Sequence, residues 1–260
     1  MNETCIGIIG GSGLENPDLF QIEHEWQPQT AYGMPSSSLR RGKLQGKNVV
    51  FLSRHGKDHS ILPSAVNYRA NIAALHEAGC THILASAACG SLNRAYAPGD
   101  LVLINQFIDW TRHRISTFYG MQQDSNARFF HTAMPDPFDA TLQQILRATA
   151  VEQNIRLHDG ATLITIEGPR FSTRAESRMF QSWGADLVNM TIATEAALAA
   201  EKHLPYAVVG IVTDYDSWNE EAPPLQVETL LATFVANAAK LTALFLAAIC
   251  HFSARSESCP

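Results

Sequence analysis

Cysteine is sparse and unpatterned: five in 260 residues, Cys5, Cys80, Cys89, Cys250 and Cys259, with no CxxC spacing. An odd, scattered set suits a reducing compartment and argues against both a disulfide framework and a zinc knuckle. Basic residues are in deficit. Nineteen Lys and Arg stand against 25 Asp and Glu, for a formal net charge of −6, and no basic cluster breaks that balance. Non-specific nucleic-acid binding is therefore not expected. The longest apolar run, 241–250, contains a threonine and is too short to cross a bilayer. The opening Met1-Asn-Glu-Thr-Cys5 is acidic and leads directly into an apolar stretch, so no signal peptide is expected. Repeats and linkers are absent too. With 46% hydrophobic and 17% charged residues, the composition is that of a folded globular chain with an ample core. The expectation is a cytoplasmic protein, one domain over residues 1–260, without a membrane partner.

What the sequence does contain is an alternation of short apolar runs and helical patterns. Runs at 5–9, 48–53, 82–85, 101–104, 161–166 and 206–212 read as buried strands. Helices are expected at 63–78, with Pro63 at its start and Gly79 as its stop, and at 140–153, 174–183, 193–202 and 225–252. This order predicts an α/β fold with a central mixed, mostly parallel sheet flanked by helices. Residues 110–138, rich in His, Arg, Phe and Pro, form the one long irregular insertion.

Polar residues gather where those strands end. Gly10-Gly-Ser12-Gly13 follows the first strand, Arg54-His55-Gly56 the second, and Ser86-Ala-Ala-Cys-Gly-Ser91 the third. Glu167-Gly-Pro-Arg-Phe171-Ser172, Asn189-Met190-Thr191 and Thr213-Asp214-Tyr-Asp216-Ser-Trp218 follow later strands. In an open α/β sheet, ligands bind beyond the carboxyl ends of the strands, so a mostly parallel sheet would bring these groups to one edge.

The glycine turn lacks the lysine of a P-loop and the third glycine of a dinucleotide fingerprint, which leaves a simple anion-cradling or tight turn. Arg54 and His55 suit an oxyanion. His55, Asp58 and His59 lack metal-ligand spacing, so no metal is expected, and Cys89 has no partner base and reads as an inert buried thiol. Phe171 can stack on a planar ligand or plug the core. Asp214 and Asp216, flanked by aromatics, read as a polar pair in an apolar pocket or as solvated loop residues.

These stretches together resemble the 5′-methylthioadenosine phosphorylase family, in the trimeric branch of the purine nucleoside phosphorylase superfamily. The similarity runs from Ile8-Ile-Gly-Gly-Ser-Gly-Leu14 through Ser53-Arg-His-Gly-Lys57, Pro63-Ser-Ala-Val-Asn-Tyr-Arg-Ala-Asn71 and Ala88-Cys-Gly-Ser91. It continues through Ile166-Glu-Gly-Pro-Arg-Phe-Ser-Thr-Arg-Ala-Glu-Ser177 and Asn189-Met-Thr191 to Thr213-Asp-Tyr-Asp-Ser-Trp218. The resemblance implies phosphorolysis of S-methyl-5′-thioadenosine to adenine and 5-methylthioribose 1-phosphate, a step of purine and methionine salvage. Inorganic phosphate would be co-substrate, with no cofactor, and the assembly a homotrimer.

It also implies roles. Ser12, Arg54, His55, Ala88 and Thr191 would hold phosphate. Met190, with Asn189 nearby, would face the ribose, and Phe171, Ser172, Asp214 and Asp216 the purine. Val227, Leu230 and Leu231 would line a 5′-alkylthio pocket, completed by His131 of a neighbouring subunit. Arg54, His55, Asp214 and Asp216 would carry the chemistry, Asp214 protonated and Asp216 ionised. Two departures stand out: Ala87 where the family places a threonine whose hydroxyl touches phosphate, and Thr194 where it places a proline. The alternatives are a purine nucleoside phosphorylase of broader or 6-oxopurine specificity, a hydrolytic nucleosidase, and a non-catalytic nucleoside binder. A dedicated anion site disfavours the last two.

Overall fold

A computed structural model describes residues 4–10, 21–44, 46–119, 131–221 and 227–252. Along the chain run strands β1 (Cys5–Gly10), β2 (Gln21–Trp26), β3 (Leu39–Leu44) and β4 (Lys47–Ser53), then helix α1 (Tyr68–Glu77). Strands β5 (His82–Ser91) and β6 (Leu101–Trp110) precede α2 (Ala140–Glu152), β7 (Leu157–Ile166) and α3 (Arg174–Ser182). The rest is β8 (Leu187–Asn189), α4 (Ile192–Glu201), β9 (Tyr206–Tyr215) and α5 (Val227–Ile249).

The central strands alternate between two large apolar cores, as their pleat dictates, and a smaller third cluster joins Ile164, Ile166 and Val188 to Phe180 of α3. In β9, Tyr206, Val208 and Val212 face the core shared with Ile72 and Leu75 of α1 and Ile192 and Ala196 of α4. Ala207, Val209 and Ile211 face the other, with Leu142 and Leu146 of α2 and Phe234, Leu241 and Phe245 of α5. A strand packed on both faces in this way, such as residues 206–212 of β9, is apolar along its buried length, which is why such runs are recognisable in the sequence. Helix α5 is long and apolar enough, by length and composition, to cross a membrane, which the short run at 241–250 alone does not suggest. In the fold, its Phe234, Leu241, Leu244, Phe245 and Ile249 are buried against the sheet.

The sheet is mixed, in the order β2-β3-β4-β1-β5-β8-β7-β6-β9, and β9 also pairs with β5. Strand β5 explains the shape. Residues 82–85 pair with β1 in parallel, whereas Gly90 and Ser91, on the same chain, pair antiparallel with Val188 and Leu187 of β8. Its other partner, β9, runs parallel along almost its whole length. The strands β5-β8-β7-β6-β9 therefore close into a ring. Convergence of the strand ends thus comes from two parallel sets, β4-β1-β5-β9 and β6-β7-β8, meeting antiparallel at β5/β8.

Three expectations change. Residues 86–91 continue the strand expected at 82–85 and do not merely follow it, because pairing with β8 and β9 carries β5 past Ala85. The helix expected from Pro63 begins instead at Tyr68: Pro63–Ala65 is a 3-10 turn, and the Asn67 side chain caps α1 by accepting from Ala70 N at 3.2 Å. The antiparallel pair β2 and β3 has no counterpart among the expected strands. Gln21–Trp26 and Leu39–Leu44 are mostly charged or polar, so their sequence shows no apolar run.

Candidate active site

A cavity of about 560 Å³ opens where the strand ends meet. Its lining includes Arg54 and His55 after β4, Ser86, Ala88 and Gly90 of β5, Ile166 of β7, Asn189 of β8 with Met190 and Thr191, and Asp214 and Asp216. Phe171, Ser172, Val227, Leu230 and Leu231 complete it. Most candidate side chains taken from the sequence thus come together. Ser12 lies outside the described residues. His131 is exposed and does not line this cavity.

One end of the cavity carries two carboxyls. Burial pushes Asp214 up to about 6, helped by the negative charge of Asp216 and opposed by the Thr213 hydroxyl, which donates to Asp214 Oδ1 at 2.6 Å. Asp216 is 2% exposed, and its Oδ2 has no hydrogen-bond partner among the described residues. Burial raises Asp216 as well, against the pull of neighbouring hydroxyls led by Ser177. A buried, unpartnered acceptor is costly unless a ligand satisfies it. The loop holding these groups is pinned: Asp216 N donates to Ser91 O at 3.0 Å and Trp218 Nε1 to Ser91 O at 2.7 Å. Ser217 Oγ donates to Ser172 O at 2.6 Å, which ties Ser172 and Phe171 to the same wall. Gly90 is glycine for a local reason: a Cβ there would lie 3.2 Å from Asp214 Oδ2 and 3.1 Å from Val188.

The other end presents donors. Arg54, 3% exposed, gives Nε and Nη2 to the two oxygens of Glu195, the second at 2.8 Å, and Nη1 to Ser86 O at 2.7 Å. Burial alone would lower its pKa, but the Glu195 carboxylate outweighs that and holds the guanidinium charged. Burial first, then Arg54, depress His55 to about 4, so its imidazole is neutral at pH 7. Since Ile61 O can only accept, the 2.9 Å contact to His55 Nδ1 fixes the proton on that nitrogen and leaves Nε2 facing other partners as an acceptor.

Asn189, in the cavity wall, spends much of its amide inside the fold. Its Oδ1 accepts from Thr165 Oγ1 at 3.0 Å and Thr191 N at 3.3 Å, while Nδ2 donates to Thr191 Oγ1 at 3.3 Å. With that oxygen already accepting, the Thr191 hydroxyl proton is free for another acceptor at the N-terminus of α4. Ala87 is 2% exposed and its methyl joins the α1/α4 core. Position 87 therefore brings no hydroxyl to the cavity. Ser86 supplies one instead, fully buried and without a partner among the described residues. Cys89 is buried, and burial raises its thiol pKa, as fits an inert thiol.

Sequence reasoning missed three residues. Glu195 sits within an alanine-rich run where nothing marks it, and Ser86, though grouped with the polar strand ends, carries no role from the sequence. Arg114, from the irregular insertion, donates Nε to Glu167 Oε1 and Nη1 to the Tyr68 hydroxyl, each at 2.7 Å, and Nη2 to Met190 O at 3.1 Å. Burial opposes ionisation of Glu167, but the backbone N–H groups of Arg112 and His113 and the Arg114 guanidinium hold it near 2. That clamp fixes the Glu167 turn against Met190. At Gly168, with φ of +66°, an added Cβ would fall 2.5 Å from the Met190 sulfur, so only glycine fits.

The family model for the phosphorylase superfamily matches residues 5–249. The chain belongs to the phosphorylase superfamily. It is 47% identical to S-methyl-5′-thioadenosine phosphorylase of Danio rerio over 94% of this chain and 87% of that one. Against the protein of the same name from Drosophila melanogaster it is 46% identical, over 94% and 84%. Among solved structures, methylthioadenosine phosphorylase from Schistosoma mansoni in complex with adenine superimposes with a TM-score of 0.91 at 41% identity, covering 95% of this chain and 91% of that one. A variant of the adenosine/methylthioadenosine phosphorylase from the same organism, in complex with methylthioadenosine, gives 0.89 at 40% identity, with the same coverage. The mixed α/β architecture is therefore that of the phosphorylase superfamily.

Proposed function

We propose that this phosphorylase cleaves S-methyl-5′-thioadenosine with inorganic phosphate, yielding adenine and 5-methylthioribose 1-phosphate. The observation that carries this reading is the polarity of one cavity: a carboxyl raised to about 6 at one end and an anchored guanidinium at the other. Breaking the purine–ribose bond develops positive charge on the sugar and negative charge on the departing base. Phosphate held near Arg54, Thr191, Ala88 and Ser86 stabilises the first and attacks the anomeric carbon. Asp214 donates its proton to N7 of the leaving base, and a bound purine that excludes water shifts this carboxyl further in the same direction. Asp216 accepts from the 6-amino group through its unpartnered oxygen. The apolar side chains of Val227, Leu230 and Leu231 take the methylthio group. No cofactor enters this scheme.

Base choice tests the assignment of the two aspartates. An ionised Asp216 only accepts, so it suits a 6-amino group and meets a 6-oxo group as acceptor against acceptor. Such mismatches in a buried site discriminate by up to about 10⁴-fold. Under saturating phosphate, kcat/KM should fall in the order methylthioadenosine, adenosine, inosine, and Asp216→Asn should narrow the gap to inosine because an amide can donate. Inosine matching methylthioadenosine would mean that both roles are wrong.

The protein is further proposed to work in the cytoplasm as a homotrimer, with His131 of a neighbouring subunit closing the 5′ end of each cavity. Support comes from the exposure of His131 away from its own cavity and from the half-open rim at Val227, 53% exposed. Light scattering should give a trimer, and His131→Ala should raise KM for methylthioadenosine more than for phosphate. A fully active monomer would contradict this.

A further inference from the structure

Glu195 is fully buried on α4, far in sequence from Arg54, yet the two side chains meet fork to fork. Behind them the Tyr206 hydroxyl donates to Glu195 Oε2 at 2.9 Å. A guanidinium carries five N–H groups. Two of them go to Glu195 and one to Ser86 O, so the remaining donors have fixed directions. The charges of Arg54 and Glu195 cancel, which leaves this end of the cavity to attract an anion by the aim of its N–H groups more than by net charge.

We propose that Glu195, braced by Tyr206, is a positioning residue that aims the free edge of Arg54 at the phosphate oxygens. The proposal rests on the reading that phosphate binds at this end. It makes an unusual demand on the sign of an effect. Removing a carboxylate from beside an anion site should tighten anion binding if field alone mattered. If Glu195 acts by holding Arg54, its removal must weaken binding, because an unpinned guanidinium loses its geometry and can turn elsewhere.

The test uses the full chain and two variants, Glu195→Gln and Tyr206→Phe. Inorganic phosphate binding is measured by titration calorimetry, KM for phosphate and for methylthioadenosine by steady-state kinetics, and folding by thermal melting. Glu195→Gln should raise the Kd and KM for phosphate by about 10- to 100-fold, the loss of a charged hydrogen-bonded pair. Tyr206→Phe removes one bond to Glu195 and should raise them by about 2- to 10-fold. In both, KM for methylthioadenosine should stay near the parent value, a split that general loosening of the fold would not produce. A folded Glu195→Gln that binds phosphate as tightly as the parent, or more tightly, overturns the proposal. Should that variant not fold, Tyr206→Phe decides alone, and unchanged phosphate binding overturns it. A parent protein that binds no phosphate overturns the phosphorylase reading along with this one.

Discussion

Asp214→Asn is expected to fold, to lose turnover by about 100- to 10,000-fold, and to outlast the parent on heating above pH 6. The loss follows because an amide can hydrogen-bond to N7 but cannot give it a proton. The gain in stability follows from the same raised pKa. Below the unfolded value of 3.8, folded and unfolded forms of the parent both hold the proton, and Asp214 contributes no pH dependence. Between 3.8 and about 6 the unfolded chain releases it while the folded protein retains it, so parent stability falls as pH rises through that window. Above the window the full penalty for a buried carboxylate remains. Asn carries none of it. Allowing for partial solvent access, Asp214→Asn should gain about 1–2 kcal/mol at pH 8 and almost nothing at pH 4. Melting curves at the two pH values check the stability, and the kcat/KM profile checks the acid: the parent should decline as pH rises through its acid limb, and the variant should show no such limb.

Arg54→Ala should be the most damaging single change in the site. Among the described residues, Glu195 would keep a buried charge with only the Tyr206 hydroxyl to bond it. Breaking one side of a buried pair costs about 3–5 kcal/mol of stability. The sequence alone suggests a narrower effect, the loss of about 1.5–3 kcal/mol of phosphate binding through one charged hydrogen bond. The structure adds the orphaned carboxylate, so both readouts should move: a lower melting temperature and a higher KM for phosphate. An Arg54→Ala protein as stable as the parent would mean that the pair does not hold this part of the fold. Arg54→Lys should recover part of the stability, since the charge stays, but little of the phosphate affinity, since the fork is lost.

How far the sequence could be read depends on what each residue's neighbours in the chain reveal. The two-core architecture is legible because buried strands such as β9 are apolar on both faces, and such runs stand out against polar strand ends. The purine end is legible for the same reason: Asp214 and Asp216 interrupt an apolar strand. By contrast, β2 and β3 carry too many charges to look like strands, and the ring closure at β5/β8 depends on long-range pairing that no local pattern encodes. Glu195 was hidden in an alanine-rich helix where a glutamate is an ordinary helix former. Its importance comes only from Arg54 lying opposite it. Asn189 is a different case: its place beside Met190 suggests a sugar ligand, and the structure adds that its Oδ1 and one amide N–H are engaged by Thr165 and Thr191. The direction of Ala87 into the core is likewise a matter of strand register, and register is settled by pairing.

The central claim is that phosphate, and not water, takes the sugar. Methylthioadenosine should be incubated with the protein in phosphate-free buffer and again with added phosphate, with chelator in both, and the sugar product identified by mass. Adenine should form only when phosphate is present, together with 5-methylthioribose 1-phosphate, and at a rate the chelator does not change. Equal release of adenine without phosphate, giving free 5-methylthioribose, would contradict the account and make the protein a nucleosidase.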